Sequence, residues 1–260
     1  MKRGGSISNA ITLLRYPGGK SRAIKYLKEY IPKDTKEICS PFFGGGAFEL
    51  YLAKQGIKVY GYDSFRPLVE FWKNVLNNPD QLIDEIYKYY PLDKDIFYQL
   101  QQKILNANSS IEVAAMFFVL NRSSYSGLTL SGGMSPNHPR FTINSIEKIR
   151  GFKMNNLIVE CMDFKDSIRL HRDKFLYCDP PYYIESNNLY GVKGDKHKRF
   201  NHLELFEVLK NHNNWMLSYN NHEYIRELYK DYKQIQLDWS YGTSRNNSSK
   251  PKELLVLNIN

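Results

Sequence analysis

The residues best placed to do chemistry are Asp179-Pro180-Pro181-Tyr182, directly after the apolar run KFLYC. Two consecutive prolines donate no backbone hydrogen bonds and cannot continue a central strand. The chain must therefore leave its sheet at a strand's carboxyl end, where open α/β sheets bind ligands. That corner presents one carboxylate, outward-facing carbonyls and one aromatic face. Together they can accept both hydrogens of a planar amino group while Tyr182 stacks on the attached ring. As an isolated turn, D-P-P-Y is ordinary; its place after a strand gives it weight.

Three further stretches stand at similar positions. Pro41-Phe42-Phe43-Gly44-Gly45-Gly46-Ala47 ends one apolar run and opens a helical one. Its glycines permit a tight turn and close approach of backbone to a ligand, but Glu49 stands where G-x-G-x-x-G needs its last glycine. Asp63 ends KVYGYD, a position suited to ribose hydroxyls and also to capping the next helix. Asp163-Phe164 follows LIVECM, offering a carboxylate and a ring face. Near the start, Tyr16-Pro17-Gly18-Gly19-Lys20-Ser21 imitates the end of a phosphate loop. The pattern G-x-x-x-x-G-K-[ST] requires a first glycine where this chain has Leu14, so Lys20 awaits either a phosphate or some other anion.

The elements that must hold these groups read as an α/β fold. Short runs rich in β-branched and aromatic residues at 37–43, 58–63, 157–163, 174–182, 215–221, 234–241 and 253–260 predict seven strands. Helical spacing falls over 21–30, 46–55, 65–76, 202–211 and 221–230. The alternation predicts a mostly parallel sheet with helices on both faces, the last two strands forming an antiparallel hairpin. Residues 77–154 break the rhythm with helical patterns and then a Gly-, Ser- and Pro-rich stretch. They read as an inserted, mainly helical subdomain between 1–76 and 155–260.

The 260 residues carry a net charge of +9, with 42% hydrophobic and 24% charged residues. Excess lysine and arginine favours a polyanionic partner, although general solubility accounts for it equally well. No apolar run reaches the roughly 20 residues of a membrane helix. The first residues, MKRGGSISN, lack a signal-like apolar stretch, so the expected place of action is the cytoplasm, or a host cell for a viral protein. Cys39, Cys161 and Cys178 show no paired spacing, and the six histidines are scattered; neither a disulfide framework nor a metal site is expected.

In order, YPGGK (16–20), PFFGGGA (41–47), the acid ending the second strand, NRSSYSGL (121–128), CMDF (161–164), DPPY (179–182) and SYNN (218–221) resemble the Dam-like family of DNA adenine-N6 methyltransferases. The resemblance spans most of the chain. It implies a Rossmann-like fold that binds S-adenosyl-L-methionine, with a target-recognition domain inserted before DPPY. It assigns the cofactor to Tyr16, Lys20, Phe43, Gly44, Gly45, Asp63, Asp163, Phe164 and Asp179, with Lys20 meeting the methionine carboxylate. Asp179, Pro180, Pro181 and Tyr182 become the catalytic motif acting on a base flipped out of double-stranded DNA. Asn121, Arg122, Ser124, Tyr125, Arg140, Lys198 and Arg245 become candidate DNA contacts, Arg122 being equally able to anchor a helix end. A restriction endonuclease becomes a possible functional partner, and the oligomeric state is left open. Relatives that read GATC continue from this region into a stretch resembling NVPFG. Here TLSGGMSPNHPRFT follows instead, so adenine methylation is implied while the recognised sequence, GATC or another, stays open. RNA adenine or cytosine N4 as substrate, a non-catalytic DNA-binding relative and a P-loop NTPase are the competing readings.

Overall fold

The computed structural model describes residues 12–135, 140–184, 200–238 and 252–259. Seven strands are present: β1 (Glu37–Ser40), β2 (Lys58–Asp63), β3 (Leu157–Cys161), β4 (Phe175–Cys178), β5 (Trp215–Asn220), β6 (Lys233–Asp238) and β7 (Lys252–Asn258). They form one sheet in the order β3-β2-β1-β4-β5-β7-β6. β1 to β5 are parallel, whereas β7 runs antiparallel between β5 and β6. The central strand β4 is buried along its whole length, as its unbroken apolar run requires. The reversal of strand order beside β1 and β4 places a crevice at their carboxyl ends, the usual ligand position in open sheets.

Among the described residues the helices are α1 (Ile24–Leu27), α2 (Ala47–Lys54), α3 (Arg66–Asn77), α4 (Pro79–Tyr87), α5 (Lys94–Lys103), α6 (Ser110–Ser123), α7 (Ile143–Arg150), α8 (Phe164–Leu170), α9 (His202–Leu209) and α10 (Glu223–Leu228). The single helix expected over 21–30 is instead α1 between two 3₁₀ turns, Lys20–Arg22 and Lys28–Tyr30. Helix α8 was not expected at all. Asp163 starts it by accepting the Lys165 N–H at 3.0 Å, a cap that a bare carboxylate after a strand does not advertise.

The inserted helices α4 to α7 lie between β2 and β3 in sequence, and their core is continuous with that of the sheet. In α6, residues Val113 to Leu120 are all buried, so this helix is apolar all round and runs through the interior. Phe71 of α3 stacks on Phe118 of α6 with ring centres 5.5 Å apart, and Trp72 of α3 meets Phe43 from the glycine turn at 5.6 Å. Truncating a ring such as Phe71 to alanine costs about 3–5 kcal/mol. Helix α6 and the glycine turn therefore both pack on α3.

Candidate active site

The site lies where β1, β2 and β4 end. After β1 the chain turns sharply through Gly44 and Gly46, both in the left-handed region (φ 50° and 65°). The turn is tied down by Asp63, whose Oδ2 accepts the Gly44 N–H at 3.1 Å and whose Oδ1 accepts the Phe65 N–H at 2.8 Å. The Tyr16 ring lies against it. A Cβ at Gly44 or Gly45 would come within 2.9 Å or 2.6 Å of Tyr16 atoms, closer than van der Waals contact allows. Burial first, and then the charges of Asp63 and Asp179, push the Tyr16 phenol upward, although two-fifths of the residue as a whole is exposed. Phe43, expected to line the cofactor, corrects the prediction: it is buried beneath the turn against Trp72, and Gly61 of β2 exists to admit it, since a Cβ there would sit 2.3 Å from its ring.

After β4, Asp179 leads out of the sheet with Pro180 buried and Tyr182 half-buried. Lys20, expected to face a ligand's carboxylate, is instead 4% exposed and donates to Asp179 Oδ1 at 2.6 Å and to the Tyr182 hydroxyl at 2.9 Å. Its ammonium also lies 3.4 Å from Glu253 Oε1 on β7. The Tyr182 hydroxyl donates to that same oxygen, and Ser218 Oγ of β5 does so at 2.6 Å. Asp179 keeps one-fifth of its side chain in solvent. Burial and the neighbouring Glu253 push its carboxyl from 3.8 up to about 6, against the pull of Lys20. Glu49 of α2, bonded by Ser40 Oγ at 2.7 Å, is pushed by burial to about 8 and so holds its proton at neutral pH. The competing phosphate-loop reading finds no support here: Leu14 is buried core and Lys20 is sealed among carboxylates.

On the other side of the turn, Phe164 stacks on Phe42 at 5.6 Å and packs on Phe200 at the same distance, giving an aromatic wall beside Asp163. Beyond DPPY, Asn220 imitates a backbone strand for Tyr183, accepting its N–H at 3.1 Å and donating to its carbonyl at 2.9 Å. The SYNN stretch therefore holds the segment after DPPY in place.

A model of the D12 class of N6 adenine-specific DNA methyltransferases matches residues 16–243, which take in Tyr16, Lys20, the glycine turn, Asp63, DPPY and Ser218. The chain belongs to that family. Relatives agree over nearly the whole length. Type II methyltransferase M.CviBI of Paramecium bursaria Chlorella virus NC1A is 22% identical over 88% of this chain and 90% of the relative. Type II methyltransferase M1.LlaDCHI of Lactococcus lactis subsp. cremoris is 24% identical over 94% of each. The DNA adenine methylase of Haemophilus influenzae is 22% identical over 94% of this chain and 92% of its own.

In this adenine-specific DNA methyltransferase the NRSSYSGL stretch divides between structure and surface. Asn121 and Ser124, expected as DNA contacts, are fully buried, which corrects that expectation. Asn121 accepts the Arg15 N–H at 2.9 Å and donates to the Arg15 carbonyl at 2.8 Å, while Ser124 Oγ accepts the Thr129 N–H at 3.0 Å. Gly127 packs so tightly on Arg15 that a Cβ would meet its carbonyl at 2.2 Å. Tyr125 stands 65% exposed at the tip. Arg122 donates to the Arg140 carbonyl at 2.9 Å; burial and the charges of Arg15 and Arg140 lower it to about 10. The three guanidinium groups converge from distant parts of the sequence. Lys198 and Arg245 lie outside the described residues. Sequence reasoning missed Glu253, Ser218, Glu49 and Ser40. The available signal was a lone carboxylate within an apolar run, as in ELLVLNIN and AFELYLA.

Among the described residues no helix is long and apolar enough to cross a membrane, and no group of histidine, cysteine and acidic residues could hold a metal.

Proposed function

We propose that the chain transfers a methyl group from S-adenosyl-L-methionine to N6 of an adenine swung out of duplex DNA. The observation that carries this reading is Asp179 and Tyr182, bridged by Lys20 at the end of β4 and beside a glycine turn with no room for side chains. The donor supplies an electrophilic methyl group on a sulfonium. The residues suit it: Gly44 and Gly45 leave bare backbone under Tyr16, Asp63 presents a fixed acid at the end of β2, and the Phe42–Phe164–Phe200 wall suits a purine face. The donor's carboxylate is no longer assigned to Lys20, which the geometry gives to Asp179.

An adenine amino nitrogen is a poor nucleophile because its lone pair is delocalised into the ring. The Asp179 carboxylate and the Pro180 carbonyl accept its two hydrogens and turn the lone pair out of the ring plane. Orientation of that lone pair supplies much of the rate. Tyr182 stacks on the base and offsets part of the unstacking cost of a few kcal/mol. After transfer the nitrogen carries one proton too many, and Asp179, poised at about 6, accepts it at its carboxylate.

Residues 77–154 are the proposed target-recognition part, and the Arg15–Arg122–Arg140 cluster is a phosphate anchor that gives affinity without specificity. A restriction endonuclease is a proposed partner, supported by relatives named as Type II methyltransferases. Sequencing DNA from cells that express the chain, with detection of N6-methyladenine, tests the reading alongside isothermal titration with S-adenosyl-L-methionine. Modified adenine in one fixed sequence context and donor binding are expected. Modification confined to RNA or cytosine, or no donor binding, would sink it.

A further inference from the structure

Glu253 takes no part in the chemistry above, yet it is 1% exposed and sits at the active end of the sheet. Because β7 is antiparallel, its first residues pair with the last of β5, Glu253 opposite Asn220. That topology delivers a carboxylate from the far end of the chain to the carboxyl ends of β4 and β5. Its Oε1 gathers the Ser218 hydroxyl, the Tyr182 hydroxyl and, at 3.4 Å, the Lys20 ammonium. Lys20 thus stands between two carboxylates, with Asp179 Oδ1 at 2.6 Å. A substrate amino group that donates to Asp179 competes with this ammonium for the same carboxylate. Stranding a buried ammonium is costly, and a second carboxylate already within ion-pair distance removes that cost.

We propose that Glu253 is a positioning residue for methyl transfer: it anchors Lys20 and the Tyr182 hydroxyl, so that Asp179 can exchange the ammonium for the target amino group. This rests on the reading of Asp179 as the acceptor of that group. Among the described residues Tyr182 touches both Lys20 and Glu253, and the charge of Asp179 reaches Tyr16, Glu49 of α2, Cys178 of β4 and Tyr219 of β5.

The test compares Glu253→Gln, Lys20→Met, the double variant and Asp179→Asn in single-turnover methylation of duplex DNA. Glu253→Gln keeps the shape and removes the charge. Its rate at saturating donor and DNA should fall about tenfold or more, with both affinities held within about twofold. The acid limb of its pH profile should move to lower pH, because one charge that raises Asp179 is gone. In the Lys20→Met background the same substitution should cost little more, since both act through one contact. A wild-type rate and unmoved acid limb, or an equal cost in both backgrounds, would overturn the proposal. If Glu253→Gln unfolds, the double variant decides: a rate equal to that of Lys20→Met supports the proposal, and a further loss overturns it. An inactive Asp179→Asn beside a wild-type Glu253→Gln overturns this proposal alone. An active Asp179→Asn overturns the underlying reading as well.

Discussion

The floor beneath Asp179 and the tip around Tyr125 solve opposite problems. On the floor, Lys20, Asp179, Tyr182, Ser218 and Glu253 come from four separate stretches and are mutually bonded. At the tip, three guanidinium groups converge with only positive charges acting among them, and Tyr125 faces water. The first arrangement holds a few atoms in one geometry, as bond making requires. Among the described residues only like charges act on the second, which suits the phosphate contacts proposed for it. The two regions are joined by Asn121, which grips the Arg15 backbone only a few residues before Lys20.

Substitutions should separate the two regions cleanly. Asp179→Ala should lower single-turnover methylation by about 10³-fold or more while leaving the thermal midpoint close to wild type. Near-normal activity would break the claim that the floor carries the chemistry. Gly45→Ala pushes a methyl group into Tyr16 and should weaken donor binding in titration, with a loss of about 1–3 kcal/mol in stability. On the other side, Arg122→Ala should weaken DNA binding about tenfold and flatten its salt dependence by about one phosphate contact. Its rate at saturating DNA should stay unchanged; a matching fall in that rate would show that the tip and the floor are not separable. The last expectation concerns stability alone and rests on Glu49, whose carboxyl rises from 4.5 to about 8 on folding. Between those values the folded chain holds a proton that the unfolded chain has lost, so stability falls as pH rises and levels off above about 8. Glu49→Gln should flatten that slope in thermal melts taken across the range.

The strands and their carboxyl-end motifs were legible because each rests on local chemistry. Apolar runs make the strands, prolines end β4, and glycines open α2. The partners of those motifs were not legible. Lys20 reads as a surface cation waiting for an anion, and only the fold reveals that its anions are Asp179 and Glu253, far along the chain. Asn121 reads as a polar residue free to meet DNA, yet it serves as a backbone clamp inside the protein. Phe43 shows the same limit: glycine-rich company marks a ligand turn, but which ring faces the ligand depends on where Gly61 opens a hole. Local patterns name the ends of elements, whereas pairing across the sheet is decided by topology.

The placement of β7 also has a consequence for the order of synthesis. Because β7 lies between β5 and β6, the place of β6 in the sheet exists only once β7 has been made. A chain halted before Lys252 has β1 to β5 available, with the glycine turn and DPPY already translated, but no Glu253 to hold Lys20 and Tyr182. On the role proposed for Glu253, competence would therefore wait for β7, and a product truncated before Lys252 would carry DPPY and the glycine turn without a finished floor beneath them.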